Sequence, residues 1–290
     1  MMRSKTYPKT NMRPNPEFVK LPKSFWAAVK TVSQECGYTV RGKGTVKIPT
    51  PDEIRAAFVS LGLSEGALKT KVNGKPLLEI LGAYFKYRAD TLNNDVEPLL
   101  MDAAEAKKQF DALHKKLKPK CPLPLNKQKG KMKAPAYLTG MVNMLIEANC
   151  NGLPVDYDPR KLTTVTQNGA PLRTLSRRVD GAFPAPINPI AIWEIKEYYY
   201  TTTFGSRVAD GVYETLLDGM EIEELDTSEN VQVLHYLFLD ARYTWWDCGK
   251  SYLCRIVDMV QMGFVDEVLI GKEVIDRLPV LVRSWIKLLS

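Results

Sequence analysis

Three polar side chains in one apolar stretch, Asp180, Glu194 and Lys196, have the types and spacing that suit chemistry. They fall in "VDGAFPAPINPIAIWEIKEYYY", residues 179–200, where aliphatic and aromatic residues otherwise dominate. Side chains of a strand alternate between its faces, so Ile192, Glu194 and Lys196 share one face and Ala191, Trp193 and Ile195 the other. The three prolines of "PAPINP" cannot sit in a central ladder and force a reversal. That reversal brings Asp180, at the end of the preceding strand, opposite the Glu194 region on the same face. Gathering two carboxylates and an amine in a dry site costs on the order of several kcal/mol, so a divalent cation or a bound substrate is expected to balance them. Oxygen donors with no neighbouring His or Cys favour Mg2+ over zinc. The alternative is an exposed cross-strand salt bridge, worth about 0–1 kcal/mol and without function.

The elements that must position these residues are readable on both sides. "APAYLTGMVNMLIEANCNG" predicts a helix with Leu138, Met141, Val142, Leu145 and Ile146 in one stripe, closed by Gly152, with Glu147 beside the stripe. "KLTTVTQNGAPLRTLSRRVDGAF" predicts two strands joined at Asn168-Gly169, a strong hairpin signal. With the strand of Glu194 these make a three-stranded meander. "GSRVADGVYETLLDGMEIEEL" spaces Val208, Val212 and Leu216 as a helix, "VQVLHYLFLDAR" is a strand, and "KSYLCRIVDMVQMG" and "VDEVLIG" add a helix and a strand.

Helix with Glu147, hairpin, Asp180 followed by Gly181, thirteen residues between Asp180 and Glu194, then Glu194-Ile195-Lys196 resembles the PD-(D/E)XK nuclease superfamily, the fold of many type II restriction endonucleases. Val179 stands where the family name writes Pro. The resemblance spans residues 138 to about 271 and implies an α/β fold with a restriction endonuclease-like αβββαβ core. It implies that Asp180 and Glu194 hold Mg2+, and that Lys196 positions or helps deprotonate the attacking water and stabilises charge on the phosphate. Glu147 joins them as an outer ligand, equally readable as a solvated helix residue. Ser206 and Arg207, at the start of a helix near the same edge, are candidate phosphate contacts, though a plain N-cap explains Ser206 as well.

Charge divides the 290 residues: residues 1–134 hold 26 Lys and Arg against 12 Asp and Glu, whereas the remainder is net acidic, within a total of +7. A basic part beside one rich in carboxylates is the pattern expected when one holds a polyanion and the other acts on it; a surface that merely solubilises is the alternative. We therefore expect residues 1–134 to form a basic, mainly helical DNA-recognition domain ending in a lysine- and proline-rich linker, and residues 135–290 to form the catalytic domain. "PKSFWAAVKTVSQECG" and "TPDEIRAAFVSLGLSEGAL" read as helices, the latter with Thr50 and Glu53 in a capping box. A second helix from Ser64 would give a helix-turn-helix, with Lys69, Lys71 and Lys75 as DNA contacts. "KPLLEILGAYFKYRADTL" and "EPLLMDAAEAKKQFDALHKKL" continue as helices. Five cysteines without a C-x-x-C pair, only two histidines, and no apolar segment of signal or membrane-spanning length point to a cytoplasmic protein. The expected activity is Mg2+-dependent cleavage of double-stranded DNA by a restriction-type homodimer. The alternatives are a nuclease selective for junctions, ends or RNA, and a catalytically silent DNA-binding regulator on the same scaffold.

Overall fold

Capping chemistry starts the N-terminal helices. Glu53 N–H donates to the Thr50 hydroxyl at 3.2 Å and Thr50 N–H to the Glu53 carboxylate at 2.8 Å, so α2 (Pro51–Ser60) opens on a complete capping box. α1 (Lys23–Cys36) buries Phe25, Val29 and Val32, the helical stripe read from sequence, in one core with Ile54 and Phe58 of α2 and with Leu81, Tyr84 and Phe85 of α3 (Leu77–Asp90). The computed structural model describes residues 12–19, 21–40, 44–130, 133–200 and 205–289.

The helix expected after α2 is instead a 3-10 turn of five residues, Glu65–Lys69, capped by Ser64 and followed by a short hairpin of β1 (Lys71–Val72) and β2 (Lys75–Pro76). Asn73 and Gly74 have φ of 48° and 82°, the left-handed conformation that a two-residue hairpin turn requires. The chain thus folds back before a recognition helix can form, and Lys69, Lys71 and Lys75 stand exposed around this hairpin. α4 (Ala103–Leu117), capped by Asp102, takes up the start of the lysine-rich stretch and packs on α5 (Tyr137–Glu147).

The molecule is mixed α/β, and its main sheet has four strands in the order β5 (Gly181–Phe183), β6 (Ala191–Glu197), β7 (Leu234–Asp240) and β8 (Glu267–Ile270). β5 runs antiparallel to β6, while β7 and β8 continue parallel to it, connected through α6 (Ser206–Glu229) and α7 (Lys250–Met262). Ala191, Trp193, Tyr236 and Phe238 face α4, α5 and α8 (Val274–Lys287). Leu237 and Leu239 face the opposite core with Val208, Val212, Leu253 and Val257 of α6 and α7, together with Val46 and Leu92 from the N-terminal part.

The hairpin of β3 (Thr164–Gln167) and β4 (Ala170–Thr174) forms with its turn at Asn168-Gly169, but as a separate two-stranded ladder, so the expected three-stranded meander does not form. The reason lies in residues 175–180. Leu175 and Val179 turn into a small core with Ile192 and Leu225, and Arg173, Ser176 and Arg177 bind acidic residues of α6, so the chain leaves the ladder before it reaches β5. Among the described residues, no helix is long and apolar enough to cross a membrane.

Candidate functional site

Backbone pairing brings the polar residues together. Gly181 pairs with Trp193, and one step further Asp180 N–H donates to the Trp193 carbonyl at 3.1 Å, which sets Asp180 opposite Glu194. Asp180 Oδ2 then accepts the Ile195 N–H at 2.8 Å. Gly181 is required at this step, because a Cβ there would lie 2.1 Å from the Trp193 indole. That indole stacks on Trp285 of α8 at 5.8 Å and is fully buried, so it cannot yield.

Glu194 is wholly buried, and Lys196 Nζ lies 2.7 Å from its Oε2 and 2.9 Å from Oε2 of Glu214. The aliphatic part of Lys196 crosses Gly211 on α6, where a Cβ would come within 3.2 Å of the lysine Cδ. Arg177 completes the group: Nη1 donates to Asp218 Oδ2 at 2.6 Å and lies 3.0 Å from Glu194 Oε1, while Nη2 reaches Glu194 Oε2 at 3.2 Å and Glu214 Oε2 at 3.3 Å. Glu214 and Asp218 are one turn apart on α6, a spacing that puts both on the same face.

Of the residues expected from sequence, Asp180, Glu194 and Lys196 are brought to one face. Glu147 is not: it ends α5, on the side of the sheet that carries Trp193, and its carboxylate accepts the Lys120 N–H at 3.0 Å. Arg207 is exposed in the first turn of α6, and the side chain of Ser206, which begins that helix, lies outside the described residues. Arg177, Glu214 and Asp218 were not anticipated. The available signal was the i, i+4 acidic pair on a readable helix with Gly211 one turn before it.

The electrostatics follow from crowding. Burial raises Glu194 most strongly, but Lys196 and Arg177 together outweigh it and hold its carboxyl below the ordinary value. Loss of surrounding water, then the Glu194 charge, push Asp180 up to about 6; its remaining exposure lets water screen part of this. Asp218 is pushed up to about 7 by burial, against the pull of Arg177. Burial opposes the Lys196 charge, yet Glu194 and Asp180 more than offset it and raise its pKa, so the ammonium persists at neutral pH.

The donor set suits a hard divalent cation. Every candidate ligand atom is an oxygen, and Glu194 Oε1 and Asp218 Oδ1 are buried with no hydrogen-bond partner among the described residues. As the side chains stand, no group of three or more His, Cys, Asp or Glu among the described residues is disposed to hold a metal ion. Arg177 and Lys196 neutralise the cluster instead.

Two further carboxylates end neighbouring strands, the half-buried Glu197 on β6 and the buried Asp240 opposite it on β7. Ala136 precedes α5 and has no capping side chain, and Glu197 supplies the acceptor, taking the Thr139 N–H at 2.8 Å. Asp240 accepts from Met101 N–H and Ala241 N–H, each at 2.8 Å, and from the Tyr199 hydroxyl at 2.5 Å. Burial pushes both carboxyls up to about 7, from ordinary values of 4.5 and 3.8. A carboxyl with a raised folded pKa adds stability below its unfolded value and loses it as pH climbs through the folded one. The contribution of both residues is thus complete below about pH 4 and gone above about pH 7. Glu197→Gln and Asp240→Asn are expected to flatten the fall in melting temperature that these groups cause between those limits. Melting curves taken in half-unit pH steps check this, and slopes identical to wild type contradict it.

Fold and site together define a mixed α/β protein with a cluster of carboxylates, lysine and arginine at the β5–β6 edge of its main sheet. Residues 101–285, more than half of the chain, match the family described as "Domain of unknown function (DUF7687)", and the chain belongs to that family. Residues 12–95 match a second family, "Domain of unknown function (DUF7690)". No curated protein and no solved structure matches the chain.

Proposed function

We propose that the protein is a Mg2+-dependent endonuclease that hydrolyses phosphodiester bonds of double-stranded DNA, on a restriction endonuclease-like scaffold. The observation that carries this reading is the convergence of Asp180, Glu194 and Lys196 on one face where β5 meets β6. The order of a helix, two antiparallel strands, with Asp180 just before the first and Glu194 and Lys196 on the second, a crossover helix and a parallel strand supports it too. Asp180 and Glu194 are the residues that would hold Mg2+, which when bound activates a water nucleophile and stabilises charge on phosphorus. Lys196, kept protonated by its carboxylate neighbours, contributes a fixed positive charge toward the phosphate; that charge state favours stabilisation over proton abstraction. Exposed Lys69, Lys71 and Lys75 around the β1–β2 hairpin, with exposed Arg207, supply charge for backbone contacts that position DNA without reading it. A homodimer would bring two such sites to the two strands.

A second reading, a DNA-binding regulator without turnover, is favoured by the way Arg177 and Lys196 already neutralise Glu194. Incubating plasmid with the purified protein and Mg2+, with and without chelator, separates the two. Nicking or linearisation that the chelator abolishes is the expected result. Salt-sensitive DNA binding with intact plasmid would overturn the nuclease reading in favour of the regulator.

A further inference from the structure

Glu194 has no exposed surface, so nothing from solvent reaches it unless a neighbouring side chain moves. The two groups that cover it differ in how firmly they are held. Lys196 projects from the interior strand β6 and its stem lies against Gly211. Arg177 projects from a segment without helix or strand, between β4 and β5, and its side chain is 23% exposed. That segment, with the end of β4 before it, is strapped along one ridge of α6: Arg173 of β4 binds Glu224, Ser176 N–H and hydroxyl donate to Glu221 at 3.0 and 2.7 Å, and Arg177 binds Asp218 and Glu214. The guanidinium brings both terminal nitrogens to Glu194, at 3.0 and 3.2 Å, but only Nη2 donates a hydrogen bond to it, to Oε2, since Nη1 donates to Asp218. Oε1 of Glu194 and Oδ1 of Asp218 accept no hydrogen bond among the described residues. The buried oxygens therefore keep capacity that the arginine does not satisfy.

We infer that Arg177 is a resident counter-ion of this cluster, holding Glu194, Glu214 and Asp218 together until a divalent cation displaces its guanidinium. The inference rests on reading the cluster as a cation site, and it adds a positioning residue that competes with the ion. Guanidinium and cation are alternative partners for the same oxygens, so the affinity measured in the wild type is the intrinsic affinity reduced by the work of moving Arg177 aside. The swing is feasible because the arginine is the partly exposed member of the pair and the one on irregular backbone.

The test is Mn2+ binding by isothermal titration calorimetry on wild type, Arg177→Met, Arg177→Lys and the double variant Arg177→Met/Asp180→Asn, with melting temperatures taken with and without Mn2+. Arg177→Met is expected to bind Mn2+ about tenfold or more tightly than wild type, with Arg177→Lys between them, since lysine keeps the charge but not the two nitrogens that bridge Glu194, Glu214 and Asp218. Arg177→Met is also expected to melt lower than wild type without the ion and to gain more from adding it. The double variant must lose the gain. Equal or weaker binding by both single variants overturns the inference, as does a gain that survives Asp180→Asn. Should Arg177→Met not fold, Arg177→Lys decides by the same criterion. Tighter Mn2+ binding alongside intact plasmid would keep this inference and remove the nuclease reading. Mg2+-dependent cutting with unchanged Mn2+ affinity would do the reverse, and no binding by any form would remove both.

Discussion

Lys196→Met is expected to lower Mg2+-dependent plasmid cleavage by about a hundredfold or more, the scale on which removal of one preorganised charge from a hydrolytic site acts. The side chain sits 2.7 Å from Glu194 Oε2 and 2.9 Å from Glu214 Oε2, the positive member of the triad that faces the proposed phosphate. Methionine matches the length of the stem that crosses Gly211, so the substitution removes charge with little change of packing. It also leaves buried Glu194 with Arg177 as its one cationic partner, which costs stability of about 1–3 kcal/mol. Cleavage must therefore be compared at a temperature where both proteins are folded by circular dichroism. Asp180→Asn gives the cleaner companion, because the amide oxygen can still accept the Ile195 N–H that Asp180 Oδ2 accepts now. A loss of cleavage as large as that of Lys196→Met, with a melting temperature no lower than wild type, is expected, because the charge removed is one whose pKa the fold raises. Either variant cutting at the wild-type rate would take its residue out of the chemistry.

The part of this cluster that could be read from sequence is the part fixed by local geometry. Strand alternation and a proline-enforced reversal are short-range constraints, and they place Asp180, Glu194 and Lys196 on one face without knowledge of the rest of the fold. Arg177, Glu214 and Asp218 belong to the same cluster through the placement of α6 over β6, a long-range contact that no local pattern encodes. Glu197 was hidden for a related reason. It reads as one more charge at the end of a strand, and its task appears only when α5 arrives with no capping side chain of its own.

Elsewhere a turn signal was read correctly but its consequence was not, or was not read at all. Asn168-Gly169 makes the hairpin it promises, yet which sheet the hairpin joins is decided by Leu175, Val179 and the contacts to α6. Asn73-Gly74, the same dipeptide, ends the helix-turn-helix expectation by reversing the chain after five residues of 3-10 turn. α8 carries a weaker local signal, because Pro279 interrupts an otherwise regular stripe of Val274, Leu278, Leu281, Val282 and Trp285. Its Trp285 backs the indole that makes Gly181 obligatory, so a helix distant in sequence supports the very strand pair that carries the site.

The largest stability effect is expected at Asp258. Arg88 of α3 and Asp258 of α7 meet at 3.1 and 3.2 Å with both residues buried, so the residues matched by the two families are joined by an ion pair inside the protein. Tyr84 donates its hydroxyl to Asp258 Oδ1 at 2.5 Å, Ser33 Oγ lies 3.3 Å from Arg88, and the guanidinium packs over Phe85 at 4.9 Å. Asp258→Ala leaves Arg88 buried, charged and unpaired, a loss of about 3–5 kcal/mol. At this chain length that lowers the melting temperature by about 10 °C. The double variant Arg88→Met/Asp258→Leu removes both charges and is expected to recover much of the loss, since an apolar pair avoids the desolvation that the ions suffer. Urea unfolding of wild type, Arg88→Met, Asp258→Leu and the double variant closes the cycle and gives the coupling energy directly. Single variants that lose less than about 1 kcal/mol would place this pair with ordinary surface ion pairs, and would shift the weight to the apolar core that Leu92 and Val46 share with Leu253 and Val257 of α7.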